Sequence, residues 1–306
     1  DIKDTVRYCH IRGVKIYLAL NIMIKQSELQ AAFDTALTAY KCGVDAVIIS
    51  DLGLASLLHK HIPDFQLHAS TQMTVHSPAC LPILKELGFT RVVVSREMSK
   101  QELQEFCKSA NEIGIEGEVF VHGALCMRVS GQCLLSSVLG ARSGNRGLCA
   151  GPCRLPFKAQ GGTGYDLSLK DLCLYEYINE LKEMGVASLK IEGRMKRPEY
   201  VSAATAACRQ AVDNGVIDPK LFKTLQDVFS RSGFTDGYYK GNLGRDMFGI
   251  RTKDDVIAAG DTYSYLHELY RAERQSIGVK INAQILADKS MTLTVTDGKN
   301  TVTANG

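Results

Sequence analysis

Four cysteines carry the densest chemistry in this sequence. Cys126, Cys133, Cys149 and Cys153 follow the pattern C-x6-C-x15-C-x3-C. The chain between and around them, MRVSGQCLLSSVLGARSGNRGLCAGPCR, is rich in Gly and Ser and poor in core-forming residues. Such a stretch buries too little apolar surface to offset the entropy of ordering it. Four thiolates closing on one centre would supply the missing staple. An all-thiolate set suits an iron–sulfur cluster or a structural zinc ion. Zinc ribbons bring two tight C-x2–4-C knuckles, and only one short spacing is present here, so the wide gaps favour [4Fe–4S]. Four unrelated buried cysteines are the plain alternative. Five others, Cys42, Cys80, Cys107, Cys173 and Cys208, sit on predicted helices among apolar neighbours and read as small core residues; Cys9 lies in a poorly defined first segment.

A second set of polar groups follows short apolar runs: Asn21, Ser50 with Asp51, His68 with Ser70, Thr71 and Gln72, Ser95 with Arg96 and Glu97, His122, and Lys190 with Glu192 and Arg194. Any one is explained by exposure at a strand end. Six such ends form a ring suited to a polar or anionic substrate. Lys190, Glu192 and Arg194 alternate, and period two places all three on one face, with Leu189 and Ile191 opposite. His68, His122, Lys190, Glu192 and Arg194 are the candidate pocket residues, Arg194 as the bidentate partner of a carboxylate or phosphate. Arg128, Arg142, Arg146 and Arg154 decorate the cysteine loop, either to meet an anion or an RNA backbone, or as a solvated rim. A peptidase dyad of Cys126 with His122 or His68 is conceivable, but it strands three thiols. Neither G-x-S-x-G nor H-E-x-x-H occurs.

The elements that must position these groups alternate between strand and helix. Strands are predicted at 14–21, 45–50, 66–71, 91–95, 117–122 and 187–192, in sequential neighbouring order and all parallel. Helices are predicted at 27–43, 54–61, 77–88, 99–114, 169–185 and 199–215. Six strands fall short of the eight of a closed barrel. The expectation is therefore a TIM-type (β/α) barrel lacking its first two strands, the first and last strands here being unpaired. The opening DIKDTVRYCH, without Met, fits such a fragment. The barrel is expected over 1–220, with the Cys-rich insertion at 124–160 and a helical, Gly/Tyr-rich connector at 221–272. From 273 to 306, period-two alternation with a DG turn at 297–298 marks the start of a truncated β domain.

Composition narrows the class. Of 306 residues, 45% are hydrophobic and 23% charged, as in a globular protein, and a net charge of +3 is too small to announce a nucleic-acid binder by itself. No apolar run reaches a membrane span and no signal peptide is present. Ten cysteines without secretory features point to a reducing cytoplasm.

The run EVFVHGALCMRVSGQCLLSSVLGARSGNRGLCAGPCR and the later SLKIEGRMKRPEYV closely resemble the collagenase-like peptidase family U32, and YLALN, DAVIISD, LHASTQ and VVVSRE fit it in order. The resemblance implies a [4Fe–4S] protein, with Cys126, Cys133, Cys149 and Cys153 matching the cluster ligands position by position. It implies hydroxylation without molecular oxygen, of a tRNA uridine, an rRNA cytidine or a ubiquinone precursor, with prephenate as the required metabolite for the RNA enzymes. The C-terminal β module is similar to the extension of the rRNA-modifying branch. RNA and a small anionic metabolite are the implied partners. A true peptidase and a non-catalytic RNA-binding or redox module are the rival readings.

Overall fold

The computed structural model describes residues 1–130, 132–162, 164–194, 196–271, 277–287 and 290–306. They form two compact units, Asp1–Tyr263 and Ser264–Gly306.

The first unit is a mixed α/β fold of TIM-barrel type. All six expected strands are present: β1 (Tyr17–Leu20), β2 (Ala46–Ile49), β3 (Gln66–Ala69), β4 (Phe89–Val93), β5 (Glu116–Ala124) and, after one unexpected strand, β7 (Ser188–Ile191). Neighbours follow chain order from β1 to β5, then β7 pairs with β5, and every one of these pairings is parallel. Among the described residues β1 pairs only with β2, so the sheet is not closed onto β7.

Local chemistry explains the intervening helices. Asp51 caps the helix Leu52–His61 by accepting from Leu54 N at 2.8 Å. Ser99 and Glu102 form a reciprocal capping box at the start of Lys100–Glu112. Pro198 opens the long helix Pro198–Asn214, and Gly215, at φ +75°, closes it in the left-handed region. These helices cover the sheet face that carries Val47 and Ile49, both fully buried.

One expected helix is corrected. Residues 169–185 hold a short strand, β6 (Asp171–Cys173), then a 3₁₀ turn, and only then the helix Ile178–Glu183. β6 runs antiparallel to the end of β5 and parallel to β8 (Phe234–Thr235). The apolar spacing of Leu169, Leu172 and Leu174 reads equally well on a helix. What decides is the free edge of the long β5, together with Asp171, whose carboxylate takes a hydrogen bond from Arg231 Nη1 at 2.6 Å. Cys173 is therefore a strand residue.

The second unit contains a three-stranded antiparallel sheet of β9 (Lys280–Gln284), β10 (Thr292–Thr296) and β11 (Thr301–Asn305). Asp297 and Gly298 turn β10 into β11 as the DG dipeptide suggested: Asp297 Oδ1 accepts from Lys299 N and Asn300 N at 2.8 and 2.6 Å, and Gly298 takes φ +90°. Among the described residues no helix is long and apolar enough to cross a membrane.

Candidate active site

One cavity of about 290 Å³ brings together residues of both sets singled out in the sequence, though not Cys153. Its floor is built from inward positions of the sheet, Ala19, Ile48, Ser70, Phe120 and Lys190. Its wall carries Glu192, Arg194 and Arg96 from the ends of β7 and β4, and Cys126, Cys133 and Cys149 from the loop after β5.

A ladder of charge runs beneath it. Lys190 Nζ donates to Glu118 Oε1 at 2.7 Å, and Arg91 Nη1 donates to Glu118 Oε2 at 3.3 Å. Arg91 also holds Glu116 through Nε at 2.7 Å. Burial pushes the Glu118 carboxyl up, but Lys190 and Arg91 outweigh it and hold the group below its ordinary value. Lys190 is thus held by Glu118 and not by Glu192. Glu192 Oε1 instead accepts the backbone N–H of Arg194 at 2.9 Å, which shapes the turn after β7. Among the described residues the Arg194 guanidinium has no hydrogen-bond partner.

Neither candidate histidine lines the cavity. His122 fails for a register reason: the β5–β7 pairing shifts between Phe120 and His122, so that Phe120 pairs with Lys190 but His122 pairs with Ile191. A one-residue slip sends a side chain to the other face. His122 therefore stacks against Tyr175 at 5.1 Å and Tyr200 at 5.8 Å, with Phe234 edge-on at 5.1 Å. Among the described residues neither ring nitrogen has a hydrogen-bond partner, and burial, then Lys196, pull its pKa down to about 3. His68 does face the sheet interior, packed edge-on to Tyr17 at 4.8 Å, but its nitrogens are also unpartnered. Burial, then Arg91, lower it to about 4. No Cys126–histidine hydrogen bond exists, so the peptidase dyad is not formed.

Three of the four arginines of the cysteine loop, Arg142, Arg146 and Arg154, serve as staples. Arg146 grips Glu28 with both terminal nitrogens at 2.8 and 2.7 Å and reaches Met23 O at 2.6 Å. The hydrogen bond from Arg146 draws the Glu28 carboxyl down to about 2. Half-buried Arg154 donates to Ser168 Oγ at 3.1 Å, to Leu169 O at 2.6 Å and to Leu125 O. Arg142 Nε donates to Leu148 O at 3.1 Å. Glu97, which the sequence placed at a strand end, accepts from the backbone and hydroxyl of Ser130 at 3.0 and 3.1 Å. These bonds pin the loop over the mouth; charge pattern alone could not separate them from anion ligands.

Residues 1–248 match peptidase family U32. The chain belongs to that family. A 23S rRNA 5-hydroxycytidine synthase of Escherichia coli is 38% identical over 220 residues, covering 70% of this chain and 33% of that protein. An uncharacterized protease of Methanocaldococcus jannaschii is 35% identical over 260 residues, covering 78% and 63%. The tRNA hydroxylation protein P of Escherichia coli is 29% identical over 292 residues, covering 77% and 64%. The chain thus spans between a third and two thirds of the length of these relatives.

The four thiols of the U32 loop fit a shared centre. All four cysteines are unbonded, and Cys153 lies in the electrostatic reach of Cys126, Cys149 and Cys133. Burial first, and then those three thiols against the pull of Arg154, push the Cys153 thiol up. Among the described residues no three His, Cys, Asp or Glu side chains are close enough to share one metal ion. Four cysteine thiols are the donor type of an iron–sulfur cluster or of a structural zinc ion.

Proposed function

We propose that this chain carries the active site of an RNA-modifying enzyme that hydroxylates a ribosomal or transfer RNA base without molecular oxygen. The observation that supports this is the single cavity shared by three cysteines of the loop and the basic end of β7. Relatives named for rRNA and tRNA hydroxylation agree with it.

Cys126, Cys133, Cys149 and Cys153 would hold an iron–sulfur cluster, which would supply electron transfer when bound. The chain's own residues bind and orient. Phe120 gives an apolar wall for a planar base. Asn21 and Ser70, joined by a 3.2 Å hydrogen bond, offer neutral polar contacts beside it. Arg194 presents a free fork of donors to a carboxylate or phosphate, and Lys190, fixed by Glu118, adds a second positive charge. That pair suits the carboxylates of a prephenate-derived oxygen donor. Neither His68 nor His122 reaches the cavity to move a proton.

The test uses the full-length protein in cells lacking their own copy, with nucleoside mass spectrometry of total rRNA and tRNA. Arg194→Ala should abolish the hydroxylated nucleoside while the purified protein keeps its visible absorbance. Full activity of that variant, or loss of the absorbance, would remove the assigned role. Cells unable to make prephenate should lose the same nucleoside and regain it on feeding.

A further inference from the structure

The turn after β7 serves two cavities. Glu192 and Arg194 enter the one described above; Lys196 and Arg197 enter another, of about 350 Å³, lined also by Tyr200, Phe229, Arg251 and Tyr263. This second cleft is basic, and two of the four cations in and beside it are already engaged. Arg231, next to it, is paired with Asp171 at 2.6 Å. Arg251 donates to the carbonyls of Val228 and Ser230 at 3.0 and 3.2 Å. The remaining two cations are not satisfied. Lys196 Nζ lies over the ring of Phe229, 2.8 Å from its centroid, and 5.4 Å from that of Tyr200. Arg197 faces the ring of Tyr263 at 5.5 Å. Among the described residues neither side chain has a hydrogen-bond acceptor. An aromatic face attracts a cation but accepts none of its N–H bonds in full.

The same point is the start of the 17-residue helix Pro198–Asn214, whose N-cap is Arg197 and which has no side-chain cap. Its positive end adds to the field of the two cations.

We propose that this second cleft binds a phosphate oxyanion, held by the Lys196 ammonium and the Arg197 guanidinium at the helix start. The phosphate is that of an RNA strand whose target base occupies the first cavity, or of a small phosphorylated molecule; the first source rests on the RNA reading above, the oxyanion site does not. Lys196 is surrounded by Asp171 of β6, Arg154 beside the cysteine loop, Arg231, Arg251, Tyr200 of the helix and His122 of β5. Burial first, with the three arginines against Asp171, brings its ammonium down to about 7. An anion binds the protonated form, so affinity falls as pH rises above 7. An unperturbed lysine, with a pKa of about 10.4, would show no change there.

Calorimetric titration of the full-length protein with inorganic pyrophosphate tests this. Binding should weaken at least fivefold between pH 6 and 8.5. Lys196→Met and Arg197→Gln should each weaken it at least fivefold at pH 6, and Lys196→Met should flatten the pH dependence. Arg197 is exposed, so its variant guards against a folding defect. Arg209→Gln, on the exposed side of the same helix, should leave pyrophosphate affinity unchanged, and Arg194→Gln reports any binding in the first cavity. Wild-type affinity in both cleft variants, or loss confined to Arg194→Gln, overturns the proposal. A labelled single-stranded oligoribonucleotide then separates the sources. Displacement by pyrophosphate that is lost in the cleft variants assigns the site to RNA. Oligoribonucleotide binding indifferent to both variants, with pyrophosphate binding lost, assigns it to a small phosphorylated ligand. Absence of hydroxylated nucleosides with this binding intact would sink only the reaction proposed above.

Discussion

Two histidines illustrate how burial, aided by nearby cations, removes a residue from acid–base service. His122 is ordinarily protonated near pH 6.5 and here only near 3; His68 falls to about 4. The folded state binds these protons less tightly than the unfolded chain. Their contribution to stability is full above pH 6.5 and is lost as the pH falls from there towards 4 for His68 and 3 for His122. For His122 the whole drop corresponds to about 5 kcal/mol, and lowering the pH from 7 to 4.5 releases about 3 of it. Phenylalanine fits among Tyr175, Tyr200 and Phe234 and cannot titrate. Urea unfolding of His122→Phe should show a smaller loss between pH 7 and 4.5 than the wild type, by about 2–3 kcal/mol. An equal loss in both proteins would show that His122 is not the group being protonated.

At the scale of elements, β4, β5 and β7 are tied by Arg91, Glu118 and Lys190 across the sheet interior. Glu118 is 7% exposed at its side chain and Arg91 12%, so loss of the shared carboxylate leaves cations with little water. Removing one partner of a buried pair costs roughly 3–5 kcal/mol, and the partly open Lys190 argues for the lower figure. Glu118→Gln should lower stability in urea by about 3 kcal/mol, and Glu118→Gln combined with Lys190→Met by less. A single variant as stable as wild type would show that the ladder contributes nothing. β5 also ends on a backbone that only glycine suits. Gly123 has φ +121°, and a Cβ there would stand 2.7 Å from both Cβ and O of Glu192. Gly123→Ala should destabilise by at least about 2 kcal/mol and displace Glu192 and Arg194, which would lower the proposed activity even where the protein still folds.

For the molecule as a whole, the cysteine loop is the part whose order depends most on what it binds. It carries exposed Leu134, Val138, Leu139 and Leu148, so its own packing secures little. Its fixed points are polar: Glu28, Glu97, Ser168 and their partners. Binding that occurs only in the folded state stabilises it by mass action. Anaerobically purified protein should absorb in the visible with stoichiometric iron and sulfide, and removing the iron should lower the melting temperature. Serine at Cys126, Cys133, Cys149 or Cys153 should abolish the absorbance; serine at buried Cys107 should keep it and cost stability instead. A colourless wild-type protein with bound zinc would replace the cluster with one ion.

What the sequence determined by itself was whatever depends on local pattern. Period two and period 3.6 are set within a few residues, so the six parallel strands, most of the helices and the DG hairpin were legible. That Lys190, Glu192 and Arg194 share one side was legible from alternation, although Glu192 and Arg194 lie past the end of β7. Tertiary structure alone decided the rest. The shift between Phe120 and His122 arises from pairing with β7, some seventy positions away, and it reverses which side His122 faces. The strand at Asp171–Cys173 exists because β5 offers an edge and Arg231 a counter-ion, neither of which is near it in sequence. The same distance hid the roles of the basic residues: an arginine that holds Glu28, one that holds three backbone and hydroxyl oxygens, and a lysine left over an aromatic ring all look alike until their partners are in place.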